Sequence, residues 1–217
     1  MMPQITHIFF DNDGVLVDTE GLFFEANCQV LPEMGIMDYA LSDFQYYTQL
    51  SNAGSAGYLR GKGLNDEAIK DFKIKRNQVW EQMVLSKDIL IKGVKPTLER
   101  LKQNYTLAMV TSVGRSYYEF AHKDYGVLPL FDLILCADDC KVIKPSPEAY
   151  LTAMKKMNVS PDQSIIVEDS PGGIAAGKAA GVKVVAIKNP FCKGLDISNA
   201  DYVLNSIEDL PALLENL

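Results

Sequence analysis

Six short apolar runs, most of them continuous rather than alternating, are what most constrains this chain. They are Ile5–Phe10, Tyr105–Thr111, Asp132–Cys136, Ser164–Glu168, Lys183–Ile187 and Asp201–Leu204. A strand with one wet face alternates polar and apolar residues, so unbroken runs of Ile, Val, Leu and Phe point to strands covered on both faces. From Val94 onward they alternate with helix-like segments, Val94–Gln103, Arg115–Gly126, Pro147–Asn158, Pro171–Ala180 and Ile207–Asn216. Strand–helix alternation with short connections predicts an α/β fold, a doubly wound parallel sheet with helices on both sides.

One interval breaks the rhythm. About 90 residues separate the first run from the second, far beyond an ordinary strand-to-helix connection. Apolar residues in this interval recur at helical spacing, as in Leu22, Phe23, Ala26, Val30 and Leu31, and again in Val79, Trp80, Met83 and Val84. The expectation is a core of residues 1–17 and 89–217, interrupted by an all-helical cap over 18–88. A lid at the sheet's C-terminal edge excludes water and supplies specificity. Trp80 and Met83 are expected in its core.

Composition narrows the function. With 47% apolar and 23% charged residues among 217, the chain can bury a sizeable core. A net charge of -7 argues against a nucleic-acid partner, which needs a clustered basic surface. No apolar run is long enough to span a bilayer, and no N-terminal segment has the order of a signal peptide, so a cytoplasmic location is expected. Nothing demands more than a monomer. The cysteines Cys28, Cys136, Cys140 and Cys192 are scattered and read as reduced, mostly buried thiols. His7 and His122, far apart in sequence, read as packing or surface residues.

Ligands of open α/β sheets bind beyond the carboxyl ends of the strands, so the residues that follow each run matter most. Asp11 and Asp13 follow the first, Thr111 and Ser112 the second, and Glu168 and Asp169 the fourth; Lys144 stands before the Pro147 helix. The candidate metal residues are Asp11, Asp13, Glu168 and Asp169: Asp11 and Asp169 offer hard oxygens to Mg²⁺, with a backbone carbonyl, waters and the substrate phosphate completing the shell, and Glu168 is a further ligand or a group behind the ligands. Asp11 is placed to attack phosphorus. Asp13 is placed to act as general acid and then to activate water. Thr111, the Ser112 backbone N–H and the Lys144 ammonium suit the remaining phosphate oxygens. Gly14 permits a tight turn. Asp18 caps the first cap helix or steadies the loop.

The run Asp11-Asn12-Asp13-Gly14-Val15-Leu16-Val17-Asp18-Thr19 resembles the first motif of the haloacid dehalogenase superfamily, and Thr111, Lys144 and Glu168-Asp169 resemble its second, third and fourth. A helical insertion just after the first motif is similar to the subgroup with a type 1 cap, which includes small-metabolite phosphatases and β-phosphoglucomutase. The resemblance implies a Rossmann-like three-layer core with a cap, Mg²⁺, and an aspartyl-phosphate intermediate. An acid at Asp13 favours phosphoryl transfer over carbon–halogen cleavage, because the dehalogenase branch lacks one there. Val15 stands where many members have Thr and several capped members have Val.

The implied activity is a Mg²⁺-dependent phosphatase acting on a small phosphorylated metabolite. A sugar phosphomutase shares every core motif, but the mutases resembling this chain carry a His a few residues after the Asp-Thr pair. Asp18-Thr19-Glu20-Gly21-Leu22-Phe23 contains none. A phosphate- or Mg²⁺-sensing protein is disfavoured by the cap and by the intact Asp13. In the cap, Gln49, Ser51, Asn52 and Arg76 are the candidates for substrate specificity, with solvated helix faces explaining such cations equally well.

Overall fold

A computed structural model describes residues 4–51 and 53–217. The chain divides into two compact units, Met1–Val17 with Leu90–Leu217, and Asp18–Ile89.

The first unit is built on six parallel strands, β1 (His7–Phe10), β2 (Thr106–Val110), β3 (Leu133–Leu135), β4 (Ser164–Glu168), β5 (Lys183–Ile187) and β6 (Tyr202–Leu204), in the order β3-β2-β1-β4-β5-β6. The central strand β1 pairs with β2 on one side and β4 on the other, so Phe9 stands opposite both Ala108 and Ile166. The chain fills one half of the sheet, returns to the middle and fills the other half. The carboxyl ends of β1 and β4 therefore flank the point where strand order reverses, which is where open α/β sheets bind ligands.

The second unit is helical among its described residues, comprising α1 (Glu20–Val30), α2 (Leu41–Phe44), α3 (Gly54–Gly61) and α4 (Asp66–Ser86), with a wide π-type turn at Gln45–Leu50. Its core gathers Val30, Leu31, Ile36, Tyr58, Leu59, Ile69 and Phe72. Trp80 is buried and stacks on Phe23 with ring centres 4.9 Å apart, as a core residue does. The long helix α4 starts at Asn65, whose side chain accepts from the Ala68 N–H at 2.9 Å. The helix α1 begins after Thr19, whose side chain makes no capping bond, so Asp18 is not its cap; the Asp18 N–H donates to the Ile89 carbonyl at 2.9 Å.

The remaining helices, α5 (Val94–Leu101), α6 (Arg115–His122), α7 (Glu148–Met157), α8 (Pro171–Ala179) and α9 (Leu210–Leu214), cover the sheet. Successive side chains of a strand point to opposite faces, and here they sort into two clusters. Ile8, Phe10, Leu107, Met109, Ile165 and Val167 pack with Val94 and Leu98 of α5, Tyr118 of α6 and Leu210 of α9. Phe9, Ala108, Val110, Ile166 and Val184 pack with Tyr150 and Ala153 of α7 and Ile174 of α8. Both faces are dry, which is the reason the runs are continuous. The strands β4 and β5 have the expected ends, while several other elements end one to four residues inside them. The helix expected over Arg115–Gly126 stops at His122, and that expected over Ile207–Asn216 resolves into a 3₁₀ turn at Ile207–Asp209 followed by α9.

Gly177 brings α8 against the sheet. A Cβ there would lie 2.7 Å from Val184 Cγ2 and 3.1 Å from Ile166 Cδ1. Alanine favours a helix interior by about 1 kcal/mol over glycine, but overpacking against two strands costs about 1–3 kcal/mol. Gly177→Ala is therefore expected to lower stability in urea denaturation, and a raised midpoint would mean that α8 moves outward freely.

Candidate active site

The first acid is placed by the sheet itself. The Asp11 N–H donates to the Val167 carbonyl at 2.9 Å, carrying the β1–β4 ladder one residue past the strand. The chain then turns sharply, and the Asn12 carbonyl accepts from the Leu16 N–H at 2.8 Å and the Val17 N–H at 3.2 Å. Gly14, at φ +77°, sits so close to the loops after β4 and β5 that a Cβ would collide with Asp169 Oδ2 and Asn189 Nδ2. Only glycine serves there, on both conformational and steric grounds. Asp11 is nearly buried and Asp13 half-buried.

Lys144, arriving from the segment before α7, ties the loops together. Its buried Nζ donates to Asp11 Oδ1 at 2.7 Å, to Glu168 Oε1 at 2.7 Å and to the Val110 carbonyl at 2.8 Å. Charge-assisted bonds of this length are the strong kind. Tyr150 of α7 donates its hydroxyl to the same Glu168 Oε1 at 2.7 Å, and its ring lies under the ammonium, 4.9 Å from Nζ to the ring centre. The other oxygen of Glu168 accepts from the Asp169 N–H at 3.2 Å and from the Ser170 hydroxyl at 3.4 Å. Glu168 is fully buried, and protein donors meet both its oxygens.

Asp169 Oδ2 accepts from Asn189 Nδ2 at 2.7 Å, and the Cys192 thiol lies 3.5 Å from the same oxygen. Carboxylate oxygens of Asp11, Glu168 and Asp169 all lie within 4.8 Å of one another. Burial pushes the Asp11 carboxyl up, to about 8; Lys144 pulls it back down, and the charges of Glu168 and Asp13 push it further up. Two carboxyl groups, of Asp11 and Glu168, share one ammonium, and Asp169 adds a third acid to the cluster. An all-oxygen set with surplus negative charge fits a hard divalent cation such as Mg²⁺.

Thr111 is buried one residue past β2, its N–H on the Leu135 carbonyl at 2.9 Å and its Oγ1 accepting from the Val113 N–H at 3.2 Å. Ser112 follows it, partly exposed. The structure thus brings Asp11, Lys144, Glu168 and Asp169 into one cluster, with Val110, just before Thr111, bonded to it through its carbonyl. The candidates of the helical unit have partners inside that unit. Gln49 Nε2 donates to Glu20 Oε1 at 2.7 Å, and the Ser51 hydroxyl to the Tyr47 carbonyl at 3.3 Å. Arg76 donates to Asn77 Oδ1 at 2.8 Å and lies over the Phe23 ring. Asn52 lies outside the described residues.

Three further side chains that the motifs do not single out meet the site. Tyr150 occupies an apolar face position of α7, and Asn189 follows β5 as a loop residue. The third, His122, is 110 residues from the loop it meets, where its Nε2 lies 2.6 Å from Asn12 Oδ1. Only Asn189 had a positional hint, since it follows a strand at the carboxyl edge.

Residues 8–187 match the family described as haloacid dehalogenase-like hydrolase. The chain is 31% identical to the "Uncharacterized protein in fgs 3'region" of Lacticaseibacillus casei, over 96% of either chain. It is 31% identical to the "Phosphorylated carbohydrates phosphatase" of Thermotoga maritima, over 81% of this chain and 82% of that one. The crystal structure of CbbY from Rhodobacter sphaeroides in complex with phosphate shares the fold, with a TM-score of 0.82 and 23% identity over 99% of this chain and 100% of that one. Among the described residues no helix is long and apolar enough to cross a membrane.

Burial lowers the His122 imidazole from 6.5 to about 4. A base with a depressed folded value contributes its full stability above the unfolded value and loses it as pH falls through 6.5 toward 4. Between pH 7.5 and 5 the wild type is expected to lose about 2 kcal/mol that a His122→Leu variant does not lose. Denaturation curves of the two proteins at both pH values check this, and parallel losses would mean that His122 is protonated in the fold.

Proposed function

This chain belongs to the haloacid dehalogenase-like hydrolases, and on that premise we propose that it is a Mg²⁺-dependent phosphatase that hydrolyses a small phosphorylated metabolite through an aspartyl-phosphate. The observation that carries the proposal is the buried Lys144 ammonium, bonded at once to Asp11 and Glu168. It gives one carboxylate at the strand-order switch point a fixed position and a permanent positive neighbour, which is what an acid serving as nucleophile needs.

In this reading a carboxylate oxygen of Asp11 attacks phosphorus and the ester P–O bond breaks. Asp13 gives its proton to the departing alkoxide. The Asp13 carboxylate then takes a proton from water, whose oxygen attacks the acyl phosphate. Inorganic phosphate leaves and the Asp11 carboxylate is restored. Thr111 and the Ser112 N–H hold phosphate oxygens, and Lys144 keeps the nucleophile aligned. Asp11 and Asp169 would hold the cation, with a backbone carbonyl from the Asp13 turn, while Glu168 stands behind them as the anchor of Lys144. Bound there, Mg²⁺ supplies positive charge to the phosphate oxygens. The likeness to a phosphatase of phosphorylated carbohydrates supports a sugar- or polyol-phosphate substrate.

Purified protein is expected to hydrolyse p-nitrophenyl phosphate and members of a metabolite phosphate panel with Mg²⁺, to stop with EDTA and to recover when Mg²⁺ is restored. Absence of turnover across the panel would overturn the proposal. Asp11→Asn should abolish phosphate release, and retained activity would remove the nucleophile assignment. Asp13→Asn should slow alkyl ester hydrolysis by about 10²–10⁴ while Mg²⁺ binding by calorimetry persists.

A further inference from the structure

The residue between the two acids is polar, buried and bonded on both sides. Asn12 is 1% exposed and His122 2%. Asn12 Nδ2 donates to Asp13 Oδ2 at 3.2 Å, and Asn12 Oδ1 faces His122 Nε2 at 2.6 Å. The orientation of the Asn12 amide is fixed by chemistry. The Asp13 oxygen that meets the amide accepts its bond, so the amide nitrogen faces that oxygen and the amide oxygen faces the histidine. The amide oxygen only accepts, so the proton of a neutral His122 ring sits on Nε2. Nδ1 is then a bare acceptor, and it has no hydrogen-bond partner among the described residues.

Ordinary core packing explains a buried histidine with one satisfied nitrogen. It does not explain why the partner passes the bond onward to the acid. Two polar side chains removed from water cost stability that an apolar pair of similar shape would not. The Asn12 backbone is already held by the turn it caps, through its carbonyl. Its side chain is therefore not needed to make that turn.

We propose that His122 and Asn12 form a positioning relay that holds the Asp13 carboxyl, through Oδ2, in the rotamer from which it delivers a proton to the leaving group. The relay rests on the phosphatase reading for its consequence, though not for its existence. His122 is a positioning residue that acts through Asn12. Because α6 starts just after Thr111 and Ser112 and ends at His122, one helix links the loop after β2 to the aim of the acid.

Leaving-group dependence tests it. p-Nitrophenolate departs with little need of an acid, whereas an alkoxide needs one. The values of kcat/KM are compared for p-nitrophenyl phosphate and for the alkyl phosphate that the wild type turns over fastest in the panel. His122→Leu and Asn12→Leu are expected to lose about tenfold or more on the alkyl ester and less than about threefold on the aryl ester, a fraction of what general acid catalysis is worth. His122→Gln, which keeps an N–H near the position of Nε2, should restore the alkyl rate. Equal losses on both esters, no loss on either, or no rescue by Gln would overturn the relay.

A second measurement is independent of turnover and of variant folding. A long-range ¹H–¹⁵N spectrum of the wild type at pH 7 should show His122 neutral with its proton on Nε2. A proton on Nδ1, or an imidazolium, would overturn the relay. If the wild type hydrolyses neither ester, the phosphatase reading falls, and this spectrum still decides whether the relay exists.

Discussion

The buried ammonium of Lys144 is the contact on which the rest of the site depends. It joins Asp11 after β1, the carbonyl of Val110 at the end of β2, and Glu168 at the end of β4. These are three adjacent strands in the middle of the sheet. A charge taken out of water is tolerated only when its neighbours replace the lost hydration, and removing one partner of a buried pair costs about 3–5 kcal/mol. The loops at this edge are therefore not free to choose their positions. Each is pinned by a bond that the others require.

The same economy recurs outward from the lysine. Glu168 spends one oxygen on Lys144 and Tyr150 and the other on the start of the loop before α8. Asp169, the next residue, meets Asn189 and lies beside Glu168 in the same cluster. The acid loop after β1 is held by different means. It has a glycine where no Cβ fits, a carbonyl that caps the turn, and an amide that touches His122 on one side and Asp13 on the other.

Much of this was legible in advance. The six runs became six parallel strands because continuous apolar composition has few solutions other than a sheet covered on both faces. Asp11, Lys144, Glu168 and Asp169 were legible because each is a charged residue at the end of an apolar run or beside a helix start, where charge is otherwise unwelcome. The helical character of the insertion, expected over 18–88, was legible from spacing. Element ends were less so: α6 stops at His122, although apolar residues recur beyond it as far as Val127. Periodicity reports which face is buried and says little about where hydrogen bonding ends.

What the sequence determined by itself is the set of chemical groups and the strand ends from which they project, because hydrophobic periodicity and the placement of charge are local properties of the chain. Tertiary structure alone decided which of those groups touch. It showed that Lys144 holds Asp11 and Glu168, that Tyr150 and Asn189 support the two acids at the end of β4, and that His122 reaches Asn12 across 110 residues. Such pairings arise when elements distant in sequence are packed against one sheet. No local pattern encodes them, because neither partner of a long-range hydrogen bond leaves a mark on the residues beside the other.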